Sequence, residues 1–245
     1  MAAYCHNPGA ITPGIWGTGY DAPLMASGSL TSLWGGFNLP PITMEWILMY
    51  TQFFGLSEPP FSISPNPKYL YMSERHGEAL AHLNYGLQDG GGFVLLTGEV
   101  GTGKTTVSRC LLQQLPAETE IAYLLNPSLT GRDLLAAICD ECQLPYAQEA
   151  SLKQLFDLIR DHLLANLAAG KRSVVLVDEA QHLLPGVLEQ LRLLTNLETD
   201  EKKLLQVVLI GQPELQQMLR QPLLRQLAQR ITARYHLLPL SSQDV

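Results

Sequence analysis

From Ser73 onward the apolar positions of the chain fall into two alternating rhythms. Ala79, Leu80, Leu83 and Leu87 recur at helical spacing behind Ser73, whose hydroxyl can cap a first turn, and predict a helix ending near Leu87. The unbroken run Phe93-Val94-Leu95-Leu96 then reads as a strand buried on both faces, and Val107, Leu111 and Leu112 open a second helical pattern. Glu120–Leu125 predicts a further strand and Arg132–Cys142 a further helix. Ser151 and Gln154 have the spacing of a capping box, and behind them Leu152, Leu155, Phe156, Ile159, Leu163 and Leu167 hold the helical period until Gly170. Val174–Val177 is the next buried strand, followed by a helix with Leu184, Val187, Leu188, Leu191 and Leu194 inward. Leu205–Ile210 predicts a strand, Pro213 to about Arg230 a helical stretch, and Tyr235–Leu238 a last strand. Such regular alternation predicts an α/β fold with a parallel sheet between two helical layers.

Chemistry enters between the first strand and the helix after it. Gly98-Glu99-Val100-Gly101-Thr102-Gly103-Lys104-Thr105, with Thr106 behind, has the spacing G-x-x-x-x-G-K-T. Gly98, Gly101 and Gly103 let successive backbone N–H groups turn inward around a phosphate chain, where a Cβ would obstruct the turn. Lys104 can reach the β- and γ-phosphates, and the Thr105 hydroxyl can bind Mg²⁺. A helix starting at Lys104 adds the positive end of its dipole. A glycine-rich turn that binds nothing is the plainer alternative; an apolar strand directly before and a helical pattern directly after decide against it. ATP and Mg²⁺ are therefore the expected ligands.

The second landmark is Asp178-Glu179, at the end of the Val174–Val177 run. A carboxylate at the C-terminal end of a strand beside the phosphate loop can hold the magnesium shell, the role expected of Asp178. Glu179 is placed to polarise the attacking water. Acids are also favoured at helix starts, so the pair gains its meaning from the loop upstream.

Composition changes this picture little. The chain has 245 residues, 46% of them hydrophobic, and a net charge of −7, as in an ordinary soluble protein with no global sign of a polyanion partner. Within residues 202–236, however, Lys202, Lys203, Arg220, Arg225, Arg230 and Arg234 face the single acid Glu214. A subunit interface, nucleic acid or a solvated face would each suit that segment. Residues 1–48 contain no Lys or Arg, are rich in Gly, Pro and Ser, and show no sustained period, so they read as a poorly ordered extension, with Met49 a potential start. Residues 49–245 then form the folded core. No run approaches the ~18 apolar residues of a membrane span, and the expected location is cytoplasmic.

Cys5, Cys110, Cys139 and Cys142 do not make a disulfide framework in a chain of this length and suit a reducing compartment. Cys139-Asp140-Glu141-Cys142 places both sulfurs on one helical face. Half a zinc site, a redox pair and two packed side chains are the readings, with no second Cys or His pair evident in the sequence and two acids beside the sulfurs. Leu70 and Tyr71, ahead of the first helix, are candidates for packing near adenine or in the core.

Several longer stretches resemble one family. Tyr50-Thr51-Gln52-Phe53-Phe54-Gly55-Leu56, the loop Leu96–Thr106, Val177-Asp178-Glu179-Ala180-Gln181, Leu191–Thr199 and Gly211-Gln212-Pro213-Glu214-Leu215 are similar to the AAA+ ATPases of the general secretion pathway protein A (ExeA-like) type and the related MSHA pilus biogenesis type, over nearly all of residues 49–245. The resemblance implies a P-loop NTPase three-layer sandwich with a five-stranded parallel sheet in the order 5-1-4-3-2. It implies ATP hydrolysis at the interfaces of a homo-oligomer that forms when a helical lid is present, and work at the bacterial inner membrane, as a peripheral component, with secretin, envelope or pilus assembly proteins. By the same resemblance Gln212 matches the sensor of the γ-phosphate and Arg230 the arginine finger, with Arg225 a second candidate and a plain surface charge the alternative for both. Family members continue into a helical lid beyond the last strand, whereas this sequence stops at Ser241-Ser242-Gln243-Asp244-Val245 with the lid missing, so weak nucleotide binding and slow turnover are expected. An alternative from another class is a nucleotide-switched DNA-binding regulator of the transposition type, using the basic 202–236 segment; the net charge disfavours nucleic acid. A helicase, suggested by Asp178-Glu179-Ala180-Gln181, ranks last, because no companion helicase motif follows.

Overall fold

The computed structural model describes residues 51–57, 71–88, 92–125, 130–199, 202–241 and 244. The chain divides into two compact units, 1–61 and 62–245. In the first, residues 51–53 are helical and the rings of Phe53 and Phe54 meet edge to face at 4.9 Å. The expected 1–48 extension and Leu70 lie outside the described residues, and Tyr71 is exposed.

In the second unit, α1 (Glu74–Gln88) precedes β1 (Gly92–Gly98), α2 (Lys104–Gln114) and β2 (Thr119–Leu124). Then come α3 (Gly131–Glu141), α4 (Leu152–Ala168), β3 (Arg172–Val177), α5 (Pro185–Leu194) and β4 (Gln206–Gly211). The chain continues through α6 (Pro213–Leu219) and the short α7 (Arg225–Gln229) into β5 (Ile231–Leu237). All five strands run parallel in the order β2-β3-β4-β1-β5, which is the expected 5-1-4-3-2 sheet.

Alternation along each strand sorts the core into two layers. Val94, Leu96, Val174, Leu176, Val208 and Ile210 face Ala79, Leu83 and Leu87 of α1 and Val107 and Leu111 of α2. Their neighbours Phe93, Leu95, Val175, Val177, Val207 and Leu209 face the other way, against α3 to α7. A two-sided strand must be apolar at every position, and this is why the pattern reads as unbroken runs. Each fully buried Leu or Val adds roughly 1.5–3 kcal/mol of burial free energy.

Local signals set the helix ends. Ser73 Oγ accepts from the His76 N–H at 3.4 Å, as expected of a cap. Ser151 and Gln154 form the expected capping box, and Gly170, at φ 72°, follows α4 in a conformation that suits glycine. A second box, Thr130 with Asp133, starts α3 one residue earlier than the apolar pattern indicates. Two expectations need correction. The stretch from Pro213 to Arg230 is not one helix: it breaks after Leu219, passes through a 3₁₀ turn at Pro222–Leu224 and resumes as α7. Pro222 lacks an N–H and disfavours helical backbone in the residue before it, which explains the break. The last strand begins at Ile231 rather than near Tyr235, with only Ala233 and Leu237 buried.

Candidate functional site

β1 delivers the chain to the C-terminal end of the sheet at Gly98, and the loop returns as α2. A Cβ on Gly98 would sit 2.5 Å from the Leu237 carbonyl oxygen and 2.9 Å from Thr102 Oγ1, so the turn needs glycine there for space. Gly101 and Gly103 need it for conformation, at φ 82° and 89°. The loop is held in shape from within and from behind. Thr102 Oγ1 donates to the Glu99 carbonyl at 2.9 Å, and Lys104 Nζ donates to that same carbonyl at 2.8 Å. Behind it, the buried His76 of α1 meets the Thr102 carbonyl through Nε2 at 3.2 Å and Ser73 Oγ through Nδ1 at 2.6 Å. Lys104 is 6% exposed, and its hydrogen-bond partner here is a neutral carbonyl.

At the end of β3 the expected carboxylates join this loop. Asp178, 3% exposed, accepts from Thr105 Oγ1 at 3.2 Å and from the Tyr123 hydroxyl at 3.2 Å. Burial, and next the Asp178 charge, push the Tyr123 hydroxyl above its usual range, so Tyr123 remains a donor. Glu179 adopts φ 53°, a left-handed backbone that is uncommon for a residue with a side chain. Its carboxylate accepts from Gln181 Nε2 and, at 3.2 Å, from Gln212 Nε2, while Gln181 Oε1 accepts from the Gln212 N–H at 3.0 Å. Burial raises its pKa, but the amides of Gln181 and Gln212 and the charges of Lys104 and His182 outweigh that effect and hold the carboxyl below the usual range. β1, β3 and β4, the three interior strands, thus converge at the C-terminal end of the sheet with a buried cation, two carboxylates and an amide relay between them.

The structure brings together Gly98, Glu99, Gly101, Thr102, Gly103, Lys104, Thr105, Asp178, Glu179 and Gln212. Val100 is on the loop's exposed tip, and Thr106 belongs to the first turn of α2. Arg230 is not at this end of the sheet. Its carbonyl accepts from Phe93 N–H at the opposite end of β1, and its guanidinium reaches Thr195 Oγ1 at 3.5 Å. Arg225 is exposed at the start of α7. Sequence reasoning missed His76, Tyr123 and Gln181 as parts of the site. Only Gln181 carries a local signal, its place two residues after Glu179; the other two come from separate elements. Cys139 and Cys142 are not a reactive pair: burial foremost pushes the Cys139 thiol up to about 11 and the Cys142 thiol up to about 12, against a redox role.

Phosphate loop, carboxylate pair and strand order define the class, a P-loop nucleotide-binding domain. The model of the AAA domain family matches residues 87–219, and the chain belongs to that family. Over 197 residues, 80% of the chain, it is 95% identical to general secretion pathway protein A of Aeromonas hydrophila, and it spans 36% of that protein's length. The resemblance read from the motifs therefore stands. Among solved structures, the fold matches the Aeropyrum pernix ORC2 protein, solved in ADPNP-ADP complexes, with TM-score 0.60 and 20% identity over 75% of this chain and 52% of that one. Cdc6p from Pyrobaculum aerophilum gives 0.58 and 17%, over 76% and 49%. Drosophila ORC bound to DNA gives 0.54 and 22%, over 89% and 53%. Among the described residues, no helix is long and apolar enough to cross a membrane.

Proposed function

We propose that this chain binds and hydrolyses ATP as the motor module of an envelope-assembly ATPase, serving secretin or pilus assembly as a peripheral component at the bacterial inner membrane. The identity with general secretion pathway protein A supports the pathway. The observation that carries the chemistry is the pairing of Thr105 with Asp178 beside Lys104, one residue from the amide-held Glu179.

The donor set fits the expected metal: Thr105 Oγ1 and an Asp178 carboxylate are hard oxygen ligands, the kind Mg²⁺ takes together with substrate phosphates. When bound, Mg²⁺ neutralises charge on the β- and γ-phosphate oxygens. Backbone N–H groups of the 98–104 loop cradle the phosphate chain, and Lys104 exchanges the Glu99 carbonyl for phosphate oxygens. Glu179 orients a water for in-line attack and takes its proton. The new bond forms from that water oxygen to the γ-phosphorus as the bond to the ADP oxygen breaks, yielding ADP and phosphate. Gln212, bonded to Glu179 and one residue beyond β4, couples the γ-phosphate to that carboxylate. Arg230, far from its own phosphate loop, serves a neighbouring subunit in a homo-oligomer.

These roles separate ground-state contact from water activation. Lys104→Ala should abolish ATP binding, whereas Glu179→Gln should bind normally and lose turnover by roughly 10²–10⁴. Isothermal titration and phosphate release on both variants test this; equal affinities would sink the assignment.

A second reading, a nucleotide-switched DNA-binding regulator, rests on one observation. Arg220, Arg225 and Arg234 line a single cavity of about 590 Å³ floored by Leu95, Leu219 and Pro222. Steeply salt-dependent duplex binding that is lost on Arg220→Ala and Arg234→Ala would favour it.

A further inference from the structure

Cys139 and Cys142 lack a second Cys or His pair in the sequence, but the fold supplies other donors. Glu120 enters from β2, Cys142 caps the end of α3, and His162 projects from the last half of α4. One ligand-type atom from each lies within 4.8 Å of the other two, and all three residues are half-buried. This is the end of the sheet away from the phosphate loop, where β2 and β3 begin: Glu120 is in register with Ser173.

Three features distinguish the cluster from incidental charges. Its donors are a thiol, an imidazole and a carboxylate, a combination that suits a borderline ion such as Zn²⁺ and is uncommon as mere surface polarity. It has an outer support: Asn166, 6% exposed, donates through Nδ2 to Glu120 Oε2 and, at 2.9 Å, to Ser173 Oγ. Amide contacts of this kind orient metal-binding carboxylates. The three ligands also come from three elements, so an ion would tie the sheet-edge strand to both helices that cover it. We propose that Glu120, Cys142 and His162 form a zinc site, with water as the fourth ligand. His162 Nε2 and Glu120 Oε2 are 2.6 Å apart, and they must separate by about an ångström to take tetrahedral positions at the usual ~2.0–2.3 Å bond lengths. Side-chain rotation of a half-exposed Glu provides that movement. Cys139, fully buried one turn earlier, packs in the core and is not a ligand.

Cobalt(II) reports on this site directly, because thiolate coordination produces a near-ultraviolet charge-transfer band. The 245-residue chain, freed of metal by chelator, should bind one Co²⁺ with that band, and Zn²⁺ should displace it stoichiometrically. Cys142→Ser should remove the band. Glu120→Gln and His162→Gln should weaken Co²⁺ and Zn²⁺ binding by at least about tenfold, the lower end of what loss of an outer support costs a metal site. Cys139→Ala should keep both band and affinity. Circular dichroism and ATP-analogue affinity on every variant establish that the fold persists, and they respond separately from the metal. The proposal is overturned if no stoichiometric metal binds, if the band survives Cys142→Ser, or if Cys139→Ala removes it as fully.

Discussion

The two ends of the sheet are made from different kinds of residue. At the ends of β1, β3 and β4 lie groups whose demands are only partly met by the chain itself. Lys104 is tied to a neutral carbonyl, and Glu179, Gly101 and Gly103 are held in a left-handed backbone. At the other end, where the strands begin, several polar groups satisfy one another, although the buried Thr119 hydroxyl at the start of β2 has no partner among the described residues. His162 meets Glu120, Asn166 reaches Glu120 and Ser173, and Gln206 Nε2 donates to the Leu87 carbonyl at 2.8 Å. One end stores unspent interaction capacity for a nucleotide; the other, apart from the metal ligation proposed for Glu120, Cys142 and His162, largely closes its own hydrogen bonds and holds the layers together. The distinction makes a general expectation: substitutions at the first end should alter nucleotide chemistry, and those at the second should alter stability.

Arg230 is the residue most able to break this division, since it sits at the closing end and yet is proposed to act on phosphate. An arginine finger supplied in trans raises turnover by about 10³–10⁵. Arg230→Ala should therefore bind ATP normally and lose nearly all turnover. Mixing it with Lys104→Ala, which has no working site but offers its own arginine, should restore part of the rate. Should mixing restore nothing while Arg225→Ala is the inactive variant, the finger is Arg225.

Gly98→Ala sharpens the same contrast with a smaller effect. The added methyl would press on the Leu237 carbonyl and Thr102 Oγ1, and neither a strand backbone nor a loop hydroxyl already bonded to Glu99 can yield freely. Overpacking of this sort costs about 1–3 kcal/mol. The melting temperature should fall, and ATP affinity should fall with it because the loop's N–H groups move. Unchanged affinity in a folded variant would show that the turn adapts.

A third test uses pH. Glu179 has its pKa depressed in the folded chain, so its contribution to stability is present above the unfolded value near 4.5 and is lost as pH falls through the lower folded value. The same shift keeps it a carboxylate through the neutral range. Turnover should thus have no acid limb from Glu179 between pH 5 and 7. Gln212→Ala removes one of the amides that lower the pKa and should move the acid limb upward. A limb that stays in place in Gln212→Ala would remove Gln212 from the relay.

Much of this arrangement is legible in the sequence because its causes are local. A strand buried on both faces must be apolar throughout, a phosphate loop needs glycine at fixed spacing, and Ser151 with Gln154 caps a helix regardless of its surroundings. Strand order came from a family resemblance, not from any periodicity. What escaped has two physical origins. Pro222 was present to break the 213–230 helix, but the apolar spacing of Leu215, Leu219, Leu223 and Leu227 continues across it and masks the break. His76, Tyr123 and the Glu120, Cys142 and His162 cluster depend on which elements become neighbours, and no spacing along the chain encodes that.

The smallest expected effect belongs to Gly170, at the closing end. Gly170 follows α4 at φ 72° with open space where a Cβ would go, so alanine there meets no atom and suffers only the left-handed backbone. That penalty is about 1–2 kcal/mol, reduced because alanine also restricts the unfolded chain. Gly170→Ala should therefore lower stability by roughly 1 kcal/mol, seen as a modest shift in the denaturation midpoint with an unchanged slope. ATP affinity and turnover should not move, because the bonds that follow, from the Lys171 N–H to the Asn166 carbonyl and from the Arg172 N–H to the Glu118 carbonyl, lie among the strand beginnings and not beside the phosphate loop. Gly98→Ala and Gly170→Ala are the same chemical change at opposite ends of one sheet. If both alter nucleotide affinity equally, the two ends are mechanically coupled and the division between them fails.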